Sequence, residues 1–456
     1  MRGNDDKIWA DVDWALVGLY FLLVGLGISN VYSSVYNPEK PGLFDLSTEH
    51  GKQIMWVGIA LFIGIIIMII DGNLIRKLSF WIYGVLMLLL VAVLFTTPIN
   101  GAKSWFGIGS FGVQPSELAK VGVCLALSAH LSEAPAVKNR MNVSFSITYL
   151  VDLFAKNWKT VAILALPSIL VLLQPDAGTF IIFTSFILVL YREGHAGNVL
   201  LFLLVAVIIA VITLVVADSS FMLPGLKIKL GGKFGIVLAL LMFGLIFYLL
   251  IRNFVLKRNR SPLYRALIGS LVVSILFVNF VEWGYSTILD DHQKERIELL
   301  LGKIEDPDGK GYNINRAKAA IGSGGFAGKG YQQATLANAS QKHVPMQSTD
   351  FIFCTWSEER GFLGSGFLVI LYCVLFIKIV SIAERQRSSY TRIFAYCVAG
   401  VFFYHFMINV GMGLGLAPVI GIPLPLFSYG GSSVLTFSIL LFILIKLDSE
   451  RKIVLQ

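Results

Sequence analysis

The feature that most limits what this chain can fold into is a series of long apolar runs. Stretches of about 17–25 residues, nearly free of charge, recur at roughly 14–33, 53–71, 78–97, 117–133, 158–174, 178–192, 197–217, 234–252, 264–286, 361–381, 392–416 and 430–447. Such a run satisfies its own backbone only as a helix and hides its side chains only in lipid or against other helices. The pattern predicts an all-α, polytopic integral membrane bundle of about twelve transmembrane helices, the sixth run being the shortest. Continuous runs exclude a porin-like barrel, whose strands alternate. Composition agrees: 56% of the 456 residues are hydrophobic and 14% charged, where a soluble domain carries roughly 25% charged residues. A soluble enzyme, a disordered chain and a disulfide scaffold are thereby excluded.

The net charge is +9, from 37 Lys and Arg against 28 Asp and Glu. In a membrane protein this reads as basic loops held on the cytoplasmic side, not as a nucleic-acid surface. Arg76, Lys77, Lys138, Arg140, Lys156, Arg252, Lys257, Arg258, Arg260, Arg385, Arg387, Arg392, Arg451 and Lys452 all fall on one side of the predicted spans. Lys227, Lys229 and Lys233 fall on the other. The balance places both termini in the cytoplasm, with 98–113 and 287–350 outside and 134–157 and 253–263 inside. The first apolar run is followed by no small-residue cleavage site and reads as an anchor. The four cysteines show no metal-ligand spacing, and the six histidines are scattered singly.

One long polar stretch, about 287–360, therefore lies on the outer face. It reads as a charged helix from Asp290 to Lys303, a turn-rich piece from Glu305 to Gly309, an amphipathic piece from Tyr312 to Ile321, and a glycine-rich run from Gly322 to Gly330. The run fits neither phosphate-loop template: Gly330 follows Lys329 where Ser or Thr is needed, and Ala327 interrupts GxGxxG. Its backbone N–H groups, with Lys318 and Lys329, could hold a diphosphate, or the run is a solvated loop.

Three further motifs carry polar residues at membrane boundaries. In Gln114-Pro115-Ser116-Glu117-Leu118-Ala119-Lys120, Glu117 and Lys120 share one helix face, as a structural ion pair or as the wall of a polar cavity. In Gln174-Pro175-Asp176-Ala177-Gly178, Asp176 fits a helix cap as well as it fits chemistry. In Thr349-Asp350-Phe351-Ile352-Phe353, a carboxylate stands at a dry boundary, where it can act as a general base or cap the following helix.

Taken in order, these motifs, with Ile321-Gly322-Ser323-Gly324-Gly325 and Pro423-Leu424-Pro425-Leu426-Phe427-Ser428-Tyr429-Gly430-Gly431-Ser432, resemble the SEDS family (shape, elongation, division and sporulation) over nearly the whole chain. The glycine run is more similar to the rod-shape branch than to the division branch. The resemblance implies a single SEDS-type membrane domain over 1–456, with a family core of ten spans, an inserted helical hairpin within 218–286, and an extracytoplasmic catalytic loop at 287–360. It implies a bacterial inner-membrane peptidoglycan glycosyltransferase that polymerises lipid II on the outer face during elongation. A class B penicillin-binding protein and membrane proteins of the elongation complex are the implied partners. The family's essential aspartate falls on Asp350, its Trp on Trp105, and its Glu and Lys on Glu117 and Lys120.

Departures from the family pattern stand at Ser104, Arg316, Met346 and Ser348. The expected roles are Asp350 as base; Lys120, Lys318 and Lys329 on the diphosphate; Glu117 orienting Lys120; Trp105 against a sugar or lipid face; and Gln114 and Asp176 beside the substrate. No cofactor is demanded, and a divalent cation, Mg or Mn, on the diphosphate stays open. Alternatives are the division paralogue, a lipid II flippase and a non-catalytic scaffold.

Overall fold

The structure, a computed structural model, describes residues 11–36, 44–97, 103–108, 111–133, 158–194, 199–216, 220–222, 229–287, 294, 298, 311–337, 344 and 346–451. Its helices are α1 (Trp14–Ser34), α2 (Glu49–Ile69), α3 (Gly72–Val93), α4 (Pro115–Glu133), α5 (Trp158–Leu172), α6 (Ala177–Phe183), α7 (Phe186–Arg192), α8 (Val199–Val216), α9 (Gly232–Phe254), α10 (Lys257–Thr287), α11 (Gly311–Ser323), α12 (Ile352–Arg385), α13 (Ser389–Leu414) and α14 (Gly431–Ser449). The described strands form two short antiparallel hairpins, β1 (Phe106–Ile108) with β2 (Phe111–Val113) and β3 (Ser220–Met222) with β4 (Lys229–Gly231). Phe106 stands opposite Val113 in the first and Ser220 opposite Gly231 in the second. The chain is thus a helical membrane protein.

Among the described residues, eight helices are long and apolar enough to cross a membrane: α1, α2, α3, α9, the Arg260–Thr287 part of α10, α12, α13 and α14. The expected count of twelve is not reached on this measure. α5, α6–α7 and the Val205–Val216 part of α8 are shorter apolar helices. The sixth predicted run breaks into α6 and α7 at Thr184 and Ser185. There the Thr184 hydroxyl bonds back to the Ile181 carbonyl, 2.6 Å away, in competition with the helix. The expected helix from Asp290 to Lys303 lies, but for two residues, outside the described residues, as does the turn at 305–309.

The chain divides into two compact units. The first comprises 1–135, 162–189 and 306–456. Its centre is α4, which packs against α3, α13 and α14 and is buried on nearly every side. α12 packs on α13 and α1, and α14 packs on α2. The amphipathic piece predicted at 312–321 is α11. Its Ala317 and Ala320 close a small core with Ala337, Val344, Phe351 and Cys354. The second unit, 136–161 and 190–305, contains α8, α9 and α10, which pack on one another. Large apolar side chains such as Phe234, Met242, Phe243 and Phe280 point outward from it, as lipid-facing helices require.

Candidate functional site

α4 carries polar residues into the interior of the first unit. The Lys120 ammonium lies 2.7 Å from Glu117 Oε1, one turn away on the same face, and both side chains are buried. It also lies 2.8 Å from His405 Nε2 on α13 and 5.6 Å from the centre of the Phe437 ring. His405 Nδ1 stands 3.1 Å from the Pro423 carbonyl. A carbonyl can only accept, so Nδ1 carries the proton and Nε2 offers its lone pair to the ammonium. Glu117 Oε2 is buried without a hydrogen-bond partner among the described residues. The ammonium expected on a diphosphate is therefore enclosed between a carboxylate and an imidazole, with no exposed surface.

Asp350 sits in the turn before α12. Its backbone N–H donates to the Met346 carbonyl, and its own carbonyl accepts from Asn409 Nδ2 at 2.9 Å. The same amide donates to the Ile422 carbonyl at 2.7 Å. A Cβ on Gly421 would sit 3.4 Å from Asp350 Oδ2, so the carboxylate lies against the backbone of that residue. The residue at the cap position of α12 is Phe351, with no side-chain capping bond.

The segment 422–430 ties these parts together. The Ser428 hydroxyl donates to the Thr349 carbonyl, the Tyr429 N–H donates to the Ser348 carbonyl, and Gln53 brackets the turn by bonding both the Ser428 carbonyl and the Gly430 N–H. Ser432 accepts from the Gln114 N–H at 2.9 Å. Asp176 does cap a helix: Oδ1 accepts from the Thr179 N–H, and Oδ2 accepts from Gln114 Nε2 and the Ser116 hydroxyl, both at 2.9 Å. Gln114 and Asp176 thus bind each other and fasten the starts of α4 and α6.

The glycine run lies along the start of α12. A Cβ on Gly324 would run into the Ser357 carbonyl, and one on Gly328 into the Glu359 carbonyl and the Arg360 backbone. Gly361, at φ +63°, kinks α12 beside them. Two backbones meet there, joined by the N–H groups of Lys329 and Gly330 on the carbonyls of Glu358 and Glu359. Gly324 and Gly328 serve this approach, and the N–H groups of Lys329 and Gly330 are spent on it. Lys329 is likewise engaged: its ammonium lies 2.5 Å from Glu358 Oε1, in a carboxylate that also accepts the N–H groups of Thr335, Leu336 and Ala337. Glu359 accepts from Ser33 and from the Gln332 N–H. The Arg360 guanidinium stacks 3.9 Å from the centre of the Trp356 ring.

Lys318 remains exposed on α11, its chain crossing Gly415, and makes no hydrogen bond or ion pair among the described residues. Trp105 is 37% exposed and lies over Gly112 of its hairpin. Among the described residues no three His, Cys, Asp or Glu stand together as a metal site.

The sequence reading missed His405, Asn409 and the carboxylate clamp at Glu358. The first two had a legible signal: two polar residues one helical turn apart inside an apolar run are costly in a membrane and mark a polar contact. The clamp had none, because three of its partners are backbone N–H groups and its cation, Lys329, lies 29 residues away in sequence.

The sequence profile of the FtsW/RodA/SpoVE family, described as cell cycle protein, matches residues 13–224 and 265–453. The peptidoglycan glycosyltransferase RodA of Treponema pallidum is 31% identical over 458 residues, covering 97% of this chain and 98% of its own. The peptidoglycan glycosyltransferase MrdB of Escherichia coli is 27% identical, covering 82% of this chain and 78% of its own. The fold matches a solved chain described under "Structural coordination of polymerization and crosslinking by a peptidoglycan synthase complex", with a TM-score of 0.61 at 24% identity, over 97% of this chain and 98% of that one. With its motifs in order and most of its length matched, the chain belongs to the FtsW/RodA/SpoVE family.

Proposed function

We propose that this protein is the elongation-type peptidoglycan glycosyltransferase of its cell, a multi-pass inner-membrane enzyme that joins lipid II units into glycan strands. The observation that carries the reading is end-to-end similarity to a relative of that name, together with the carboxylate of Asp350 held against Gly421 by the Asn409 staple. In the reaction a sugar 4-hydroxyl attacks the anomeric carbon of the sugar that bears the diphosphate. A carbon–oxygen bond forms to that carbon from the opposite face, the bond to the phosphate oxygen breaks, and the lipid diphosphate leaves with the electron pair. Asp350 takes the hydroxyl proton, for which it must come within about 3 Å of the hydroxyl in the reactive complex. Lys318, exposed on α11 with its chain across Gly415, is the cation that meets the leaving diphosphate in this reading. Trp105, 37% exposed, is the ring for a sugar or a polyprenyl chain.

The basic loops support cytoplasmic termini and an outward-facing Asp350. The unmatched stretch 225–264 supports an inserted hairpin within 218–286. A class B penicillin-binding protein that cross-links the strands is the partner, alongside further elongation-complex membrane proteins. The test is Asp350→Asn in the purified complex. The amide keeps the size of the carboxylate but cannot take the proton, so thermal stability and lipid II affinity hold while polymer yield falls about a hundredfold or more. A folded Asp350→Asn protein that polymerises at the normal rate removes Asp350 from the mechanism.

A further inference from the structure

We propose that His405 and Asn409, one turn apart on α13, are positioning residues for Asp350, and that the buried Glu117–Lys120 pair acts on the site through them and not by touching substrate. The proposal rests on the reading of Asp350 as the base. Both N–H groups of the Asn409 amide are spent on main-chain carbonyls, those of Asp350 and Ile422, at 2.9 and 2.7 Å. Neither carbonyl can donate, so the amide has only one orientation. Its Oδ1 is left buried without a partner among the described residues. Gln174 and Gln347 also donate to a main-chain carbonyl with a buried amide oxygen left over, so the orphan by itself does not single out Asn409. Asn409 is kept where it is by what its donors hold: the turn that carries the base, and the segment against which the base lies.

His405 completes the link. Pro423 follows Ile422 directly, and its carbonyl takes the His405 Nδ1 proton at 3.1 Å, while Nε2 accepts from Lys120 at 2.8 Å. Lys120 and Glu117 are enclosed, with exposures of 0% and 5%. The ammonium sets the tautomer of the ring, the ring fixes Pro423, and Asn409 carries that position from Ile422 to Asp350. Gly421, one residue earlier, is where the carboxylate rests. Each hydrogen bond in the line has a donor and an acceptor that cannot exchange roles without breaking its neighbour.

The experiment compares four forms of the full chain with its transpeptidase partner: wild type, Asn409→Leu, His405→Leu and His405→Gln. Glutamine can donate to Pro423 and accept from Lys120 as the imidazole does. Expected are a fall in kcat of about tenfold or more for the two leucine variants, a KM for lipid II within about twofold of wild type, and a rate for His405→Gln within about threefold. Hydrogen exchange of 346–351 and 420–424 is followed on the same preparations and rises in Asn409→Leu. Normal kcat per folded molecule in either leucine variant overturns the proposal. So does a raised KM at unchanged kcat, which would make these residues substrate ligands, and so does a His405→Gln variant as slow as His405→Leu. Should Asn409→Leu fail to fold, the histidine pair decides alone. If wild type itself forms no polymer, the glycosyltransferase reading fails, while unchanged exchange at 346–351 would separately end the positioning one.

Discussion

Buried charge in this protein is held by partners that cannot be removed singly. Lys120 has two close partners, Glu117 and His405, and Glu117 already has one oxygen without a bond. Replacing Lys120 with Met leaves a carboxylate and an imidazole lone pair facing each other in a low-dielectric interior, and the expected loss is about 3–5 kcal/mol, seen as lower melting temperature and yield. The double replacement Glu117→Gln/Lys120→Met loses less than the sum of the singles. Strictly additive losses in the double-mutant cycle would show that the two do not interact. This pair was legible from its spacing, since residues three apart on a helix face meet whatever the tertiary fold. The imidazole as third member was not legible, because His405 reaches Lys120 only when α13 is laid on α4.

At the scale of elements, the glycine run shows how one residue type answers three different demands. Gly322 lies in α11 with open space where a Cβ would go, Gly325 has open space but φ +57°, and Gly328 has φ +87° and is wedged against the Glu359 and Arg360 backbone. Alanine at 322 is therefore neutral or slightly stabilising. Alanine at 325 costs about 1 kcal/mol for left-handed geometry, and at 328 at least about 2–3 kcal/mol because a backbone must also move. Melting temperatures that do not follow this order would show that the two backbones are not in contact. The helices themselves were largely legible from apolar periodicity. The misses have a common cause: hydrophobicity reports what faces lipid, not what is helical. α12 begins at Ile352, nine residues before the predicted run, because Ser357, Glu358, Glu359 and Arg360 are helical but polar. The break between α6 and α7 stayed hidden because Thr184 and Ser185 are too short to interrupt an apolar run.

For the whole molecule, one end of the first unit is fastened by a charge cluster distant in sequence. Arg385 bonds Asp448 and Asp13, and Lys378 stands 3.5 Å from Asp13. Partial burial alone would raise the Asp13 pKa, but the Leu16 N–H and the Arg385 and Lys378 charges outweigh it and hold it below the ordinary carboxylate value. A lowered folded pKa means stability that is present above about pH 4 and lost as pH falls through the folded value. Wild type should therefore melt higher than Asp13→Asn at neutral pH, with the gap closing below about pH 4. A gap that stays constant down to pH 2 would show that the charge of Asp13 contributes nothing. The site obeys the same long-range logic. Gln53, Gln114, Lys120 and Asp350 each find a partner between His405 and Ser432. Since a chain emerges from the ribosome and enters the membrane N-terminus first, α2, with Gln53, and α4, with Lys120 and Gln114 just before it, are inserted while these partners are still unmade. The assembly of a working centre thus waits for the synthesis of 405–432. A nascent chain halted before that point has no competent site and carries a lysine that has nowhere to rest but against its own glutamate.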